Sequence, residues 1–208
     1  GAVLWTYAIS SSSPNVISLA YDGTYVYAGC LDAHIKKIER STDTEIWSVS
    51  THTFTVLTLT LDSAGNIVSG SNDDVAKKTD PDGNHLWTYT VGVNVKDVAV
   101  DDAGNIYVAA QQNVFRKLDA DGNELWQKTI GFAGFSSVAV AANGTVYATQ
   151  QGTIHEIASD SSVLNSWDIH GSSDIHALRV AGTTEAPKVS VYNADTAQWE
   201  TIATLALA

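Results

Sequence analysis

The chain of 208 residues has one cysteine, no methionine and three prolines, and its basic residues are outnumbered by acids, 11 to 23. A single thiol, Cys30, excludes an intrachain disulfide framework and a cysteine-rich zinc site. The shortage of lysine and arginine leaves a formal charge of −12 and argues against a nucleic-acid binder, whose footprint is basic. It argues equally against docking on an anionic membrane surface. No apolar run approaches the roughly 20 residues of a membrane-spanning helix, so no membrane insertion is expected. No signal peptide stands ahead of Gly1, and the compartment stays open, extracellular or virion surface included. No stretch sustains a 3.6-residue apolar period with a capping signal, so no helix is expected either. Charged residues are only 16% and hydrophobic ones 44%, a balance that builds a core rather than a disordered chain.

What is present is periodicity. Trp5, Trp47, Trp87, Trp126 and Trp167 recur at intervals of 42, 40, 39 and 41 residues, and Gly23, Gly65, Gly104 and Gly144 at 42, 39 and 40. Apolar segments open at residues 16, 56, 95, 135 and 175 with the same period. Three independent markers with one period define a repeat array. Each period holds four short strand-like runs parted by turn residues. In the third they are 95–100, 105–109, 114–118 and 124–130. Asp-Gly and Asn-Gly pairs suit the tight hairpins between such runs, because glycine takes a positive φ at little steric cost.

A four-stranded antiparallel unit of this length, repeated, is a propeller blade. The expected fold is all-β: a single domain over 1–208, a five-bladed β-propeller with blades near 16–50, 56–90, 95–130, 135–170 and 175–208. The N-terminal strand at 3–9 has no blade of its own and is expected to close the last blade, leaving no open sheet edge. Leu19, Leu59, Val98, Val138 and Leu178 share one position of the first strand, and Ser18, Thr58, Asp97, Ser137 and Ala177 the one before, so that successive blades nest. Trp199 lies 32 residues after Trp167. Reading it as another fourth-strand tryptophan would make the chain part of a longer array, and both readings stand at this point.

The run Gly23-Thr24-Tyr25-Val26-Tyr27-Ala28-Gly29, followed by Ile35-Lys36-Lys37-Ile38-Glu39 and Thr42-Asp43-Thr44-Glu45-Ile46-Trp47, resembles a repeat of the pyrroloquinoline-quinone (PQQ)-type or WD-type β-propellers. Leu118-Asp119-Ala120-Asp121-Gly122-Asn123-Glu124-Leu125-Trp126 resembles the same repeat's ending. The resemblance implies a scaffold. Quinone-dependent dehydrogenases of that kind use eight blades, a calcium ion and often a vicinal disulfide; about five blades and one cysteine imply that no quinone binds, and no cofactor is expected. Propellers with such repeats also serve as assembly scaffolds, lectins and virion surface parts, so the fold alone assigns no function.

The residues that could carry chemistry divide unevenly. Tryptophans recurring once per blade point to packing between blades. Asp80-Pro81-Asp82-Gly83-Asn84 and Asp119-Ala120-Asp121-Gly122-Asn123 contain part of a calcium loop, yet lack its distant bidentate acid. Of six histidines, none forms a chelating pair by spacing; His52, His170 and His176 could meet at a ring mouth, but solvent-facing loop histidines are expected. No nucleophile elbow exists, and Cys30 reads as a buried filler. The pairs Lys36-Lys37, Lys77-Lys78 and Arg116-Lys117 share one strand in successive blades and read as surface side chains balancing acidic turns.

One end of the blades carries repetitive Asp/Asn-Gly turns, while the other carries varied loops, and loops on a rigid scaffold commonly bind. The candidate partner-binding residues are Asp32, His34, Asn72, Asp73, Gln111, Gln112, Gln150 and Gln151 in the turns, with His52, Asn94, His170 and Asp174 in the connections. Their amides and carboxylates suit a protein or glycan better than an apolar ligand. The expected function is a non-enzymatic binding or assembly module, with no catalytic or metal-ligating residue. The alternative is a propeller hydrolase or lyase with acids and histidines at the ring mouth.

Overall fold

The computed structural model describes residues 6–8, 15–131 and 133–168, together with the backbone of strands at 175–181, 188–193 and 198–204. Its elements are all strands, arranged as consecutive antiparallel meanders. The first sheet comprises β1 (Val16–Tyr21), β2 (Tyr25–Cys30), β3 (His34–Glu39) and β4 (Thr44–Ser50). The second comprises β5 (Val56–Leu61), β6 (Ile67–Ser71), β7 (Val75–Thr79) and β8 (His85–Thr90). The third holds β9 (Val95–Val100), β10 (Ile106–Ala110), β11 (Val114–Leu118) and β12 (Glu124–Thr129), and the fourth β13 (Ser137–Val140), β14 (Val146–Gln150), β15 (Thr153–Ile157) and β16 (Val163–Asp168). β17 (Ile175–Ala181), β18 (Lys188–Asn193) and β19 (Gln198–Thr204) form a three-stranded sheet. No described helix is long and apolar enough to cross a membrane.

The chain divides into two compact units, Gly1–Asn94 and Val95–Ala208. In the first, the β5 side chains Val56 and Leu59 join Tyr27 and Ile35 of the preceding sheet in one buried cluster, with Trp47 packed against it. In the second, Phe135 and Val138 pack with Tyr107, Ala109 and Phe115 of the preceding sheet, with Trp126 against them. Each large apolar side chain buried this way contributes about 1.5–3 kcal/mol. Nesting requires a small residue opposite. A Cβ at Gly29 would stand 2.8 Å from a Val56 methyl and 3.1 Å from a Leu59 methyl.

Trp47 and Trp126 bridge consecutive sheets, as the tryptophan spacing implies. Trp47 Nε1 donates to the Pro81 carbonyl at 3.1 Å and Trp126 Nε1 to the Ser159 carbonyl at 2.9 Å. Trp47, Trp87 and Trp126 oppose Lys37, Lys78 and Lys117, whereas Trp167 opposes Ile154. The fourth sheet thus moves its tryptophan two positions along the strand, which keeps it on the same face.

Two readings of the sequence need correction. The paired lysines are not surface side chains: Lys36, Lys37, Lys78 and Lys117 are buried. Lys37 Nζ lies 4.1 Å from the Tyr25 ring centre and donates to Pro81 O at 2.9 Å, Lys78 pairs with Asp62 at 2.9 Å, and Lys117 sits 5.1 Å from the Tyr107 ring centre. Strand register turns these lysines inward, and aromatic faces and carbonyls accommodate the charge. The histidines are not uniformly solvent-facing either, since His52 and His155 are buried. Cys30 is free and buried with Ala28 and Ile38, as expected, and Tyr7 packs on that cluster. Most of the segment 3–9 and its expected pairing with the last sheet lie outside the described residues.

Candidate functional site

Each four-stranded sheet has two ends, and they use polar side chains differently. At one end of the second and third sheets, an aspartate opens each turn and an asparagine closes it. Asp62 Oδ1 accepts the N–H groups of Ala64 and Asn66 at 2.9 Å each, while Oδ2 accepts the Asn66 amide at 2.8 Å. Asp80, Asp101 and Asp119 repeat this pattern with Asn84, Asn105 and Asn123. The amide and backbone donors of Asn84 hold the Asp80 carboxyl below the usual range, and those of Asn123 do the same for Asp119. These carboxylates are engaged by their own turns.

At the opposite end, side chains tie the β2–β3, β6–β7, β10–β11 and β14–β15 turns to the connections between sheets. The connection after β4 contains His52. Its Nδ1 lies 2.9 Å from Asp73 and its Nε2 2.9 Å from Ser69 Oγ. A carboxylate can only accept, so Nδ1 carries the proton and Nε2 accepts from the serine hydroxyl. Burial pushes His52 down from its ordinary pKa, outweighing the pull of Asp73. Burial opposes ionisation of Asp73, yet the Thr53 N–H at 2.9 Å and His52 hold its carboxyl below the usual range.

This is the connectivity of a Ser–His–Asp triad. Chemically, however, Ser69 has no solvent exposure and the His52 side chain none. The three groups lock β6, the β6–β7 turn and the incoming connection together. Neither the triad arrangement nor Ser69 was visible in the sequence, because the three residues come from different segments and fit no motif.

The remaining candidates are placed as follows. Asp32 Oδ1 accepts the His34 N–H at 3.3 Å within one turn, with the His34 ring half-exposed. Asn94 donates to Asn72 at 3.0 Å, linking the β6–β7 turn to the connection after β8. Gln150 is buried, and its amide donates to the carbonyls of Ile130, at 2.7 Å, and Ala133. Gln111 is half-buried, whereas Gln112 and Gln151 are exposed. His52, Asp73, Asn72, Asn94 and Gln150 are therefore engaged within the fold. His170 and Asp174 lie outside the described residues.

Gln112 and Gln151 share a further property: both adopt left-handed backbone, φ 54° and 40°. A glutamine there is strained where asparagine or glycine would sit easily. Beside Gln151, an open cleft of about 240 Å³ is lined by Gly131, Ala133, Gln150, Thr153 and His155. His155 Nδ1 lies 2.9 Å from Ser166 Oγ and its Nε2 3.3 Å from Gln150 Oε1. Burial lowers the His155 pKa against the opposing influence of Asp168, so its neutral form is favoured. Sequence reasoning missed His155, whose only signal is its place on β15 at the position of Lys77 and Arg116. Among the described residues, no group of three or more histidine, cysteine or acidic side chains could hold a metal ion.

A search of curated proteins returns no match to the chain. The family model described as outer membrane protein assembly factor BamB, built on PQQ-type repeats, matches residues 31–197. A match over that share of the sequence places the chain in this PQQ-type repeat family, to which it belongs.

Proposed function

We propose that the chain is a non-enzymatic interaction and assembly module that engages a protein or glycan through the sheet ends carrying the varied turns. The carrying observation is the pair Gln112 and Gln151, exposed at equivalent turns where Asn72, Asp73 and Gln150 are engaged within the fold. The neighbouring cleft at His155 offers neutral donors and acceptors, which suits hydroxyl and backbone groups. Membership of a family described as an assembly factor supports the same reading. The test is a pair of alanine sets, Gln112 with Gln151 against Asp82 with Asp121. Capture of a partner from extract or on a glycan array should fail for the first set alone, both sets remaining folded. Equal loss in both sets, or loss in the second alone, contradicts the proposal.

We further propose, on the strand count of the sequence alone, that the scaffold is a five-bladed ring closed by the segment 3–9. Removing residues 1–9 should lower the melting temperature sharply, and an unchanged melting temperature would refute closure. A hydrolase is the competing reading, favoured by the Ser69–His52–Asp73 geometry. It requires a reagent to reach Ser69. A fluorophosphonate should leave the native chain unlabelled, and stoichiometric labelling at Ser69 would establish the enzyme instead.

A further inference from the structure

One hairpin turn departs from its equivalents in the repeat. The β5–β6 turn, Asp62–Asn66, and the β9–β10 turn, Asp101–Asn105, are each locked by the opening aspartate and the closing asparagine. The β13–β14 turn has the same backbone. Gly144 stands at φ 81°, beside 81° at Gly65 and 84° at Gly104, and its N–H donates to the Ala141 carbonyl at 2.8 Å. The side chains differ at every other position the two locked turns share. Ala141 replaces the aspartate, Asn143 replaces Ala64 and Ala103, and Thr145 replaces the asparagine. The exchanges discard the carboxylate lock and write Asn143-Gly144-Thr145, an Asn-x-Thr glycosylation sequon. No other asparagine of the chain has serine or threonine two places on. Asn143 is exposed, and its Oδ1 accepts the Thr145 N–H at 3.0 Å, an Asx turn. Its Nδ2 makes no hydrogen bond among the described residues. A Cβ at Gly144 would meet nothing within 4 Å, so the turn stands clear of its neighbours.

We propose that Asn143 is an acceptor site for N-linked glycosylation. In the transfer, Asn143 Nδ2 attacks the anomeric carbon of an oligosaccharide carried on a polyprenyl diphosphate. The N–C bond forms as the C–O bond to the diphosphate breaks. The diphosphate leaves with the electron pair, and the amide nitrogen gives up one proton to solvent. The Asx turn holds the acceptor amide and Thr145 together at the tip of an open hairpin, where a transferase can reach both. The exchange at Asn143 alone would create an Asn-Gly turn, and the exchange at Thr145 is what completes an acceptor. The β13–β14 turn lies at the end of its sheet opposite Gln151. An attached glycan, bulky and solubilising, therefore leaves the proposed partner surface open, and the site stands independently of that surface.

The experiment incubates the full, folded chain with detergent-solubilised oligosaccharyltransferase and a polyprenyl-diphosphate oligosaccharide, and reads the product by intact mass and peptide mapping. One glycan per chain is expected, attached at Asn143 and released by a peptide N-glycosidase that leaves an aspartate in its place. Asn143→Gln and Thr145→Ala should each abolish the transfer, whereas Thr145→Ser retains it, because the sequon needs a hydroxyl at that place. The melting temperature of each variant reports its folding, and these exposed turn changes should leave it with the parent. A chain left unmodified while a short acceptor peptide in the same mixture is glycosylated overturns the proposal. Transfer that persists in folded Asn143→Gln overturns it as well, and so does deamidation at Asn143 with no sugar attached.

Discussion

The first pair of sheets, β1–β8, and the second, β9–β16, solve one packing problem with different side chains. In both, a connection must be held against the sheet that follows it, and the carbonyl at Thr51 or Ile130 must find a donor. The first pair supplies the Lys77 ammonium, and clamps the connection further through His52, Asp73 and Ser69. The second supplies one amide, Gln150, which reaches the carbonyls of Ile130 and Ala133. At the position of His52 it has Gly131, whose Cβ would fall on the Gln150 side chain. The repeat therefore preserves a hydrogen-bonding requirement rather than a residue. One solution uses a cation and the other a neutral amide, so a repeat array can diversify its side chains without altering its strands.

The largest effect should come from the nesting contact. Gly29→Ala places a methyl 2.8 Å from Val56 and 2.5 Å from Ser18 Oγ. Overpacking of this kind costs roughly 1–3 kcal/mol, measurable by chemical denaturation. The second pair already carries Ala109 at the equivalent position, buried against Phe135 and Val138. Ala109→Gly should cost only about 1 kcal/mol. Equal costs at the two positions would break the comparison.

The clamps come next. Asp73→Ala strands the His52 Nδ1–H and the Thr53 N–H, and a buried donor left unsatisfied costs about 1–3 kcal/mol. Ser69→Ala leaves only the Nε2 acceptor without a donor and should cost less. If denaturation shows Ser69→Ala to be the more damaging of the two, the assigned polarity of the network is wrong.

A smaller effect concerns pH. Burial lowers the pKa of both His52 and His155 in the fold. Their contribution is therefore complete above the ordinary histidine pKa of about 6.5 and is lost as pH falls below it, because the unfolded chain binds the protons more readily. The denaturation midpoint should decline between about pH 7 and pH 5. Carboxylates such as Asp73, lowered from 3.8, contribute their loss at lower pH. A His52→Asn, His155→Asn double variant should show a flatter profile over that interval, and an unchanged slope would assign the dependence elsewhere. The smallest effect is expected at the opposite ends of the sheets. Asp82→Ala and Asp121→Ala alter exposed turn residues and should stay within about 0.5 kcal/mol of the parent.

The sequence carried the strands because their signals are local. Alternation, glycine-bearing hairpin turns and a repeated tryptophan mark each four-stranded sheet, and the second strand of the third begins one residue from its expected place. Cys30 and the tryptophan bridges were legible for the same reason. The inward lysines were not, because composition says charge and only the cross-strand register says which face it occupies. At the candidate site, the turns holding Gln112 and Gln151 could be named from their position in the repeat. That Gln150 and Asp73 are engaged inside the fold could not, since their partners lie 17–21 residues away in the connections. Ser69 and His155 were missed because each is an ordinary strand residue until a neighbouring segment is set beside it.

Two adjacent glutamines test the central claim most directly. Gln150 is buried and holds a connection, while Gln151 is exposed beside the cleft. Melting temperature and partner capture measured together on Gln150→Ala and Gln151→Ala separate holding the fold from binding. The first variant should melt several degrees lower, since each 1 kcal/mol shifts a chain of this size by about 2–4 °C. The second should melt with the parent and lose capture. A stable Gln150→Ala, or a Gln151→Ala that melts early or captures partner undiminished, would contradict the account.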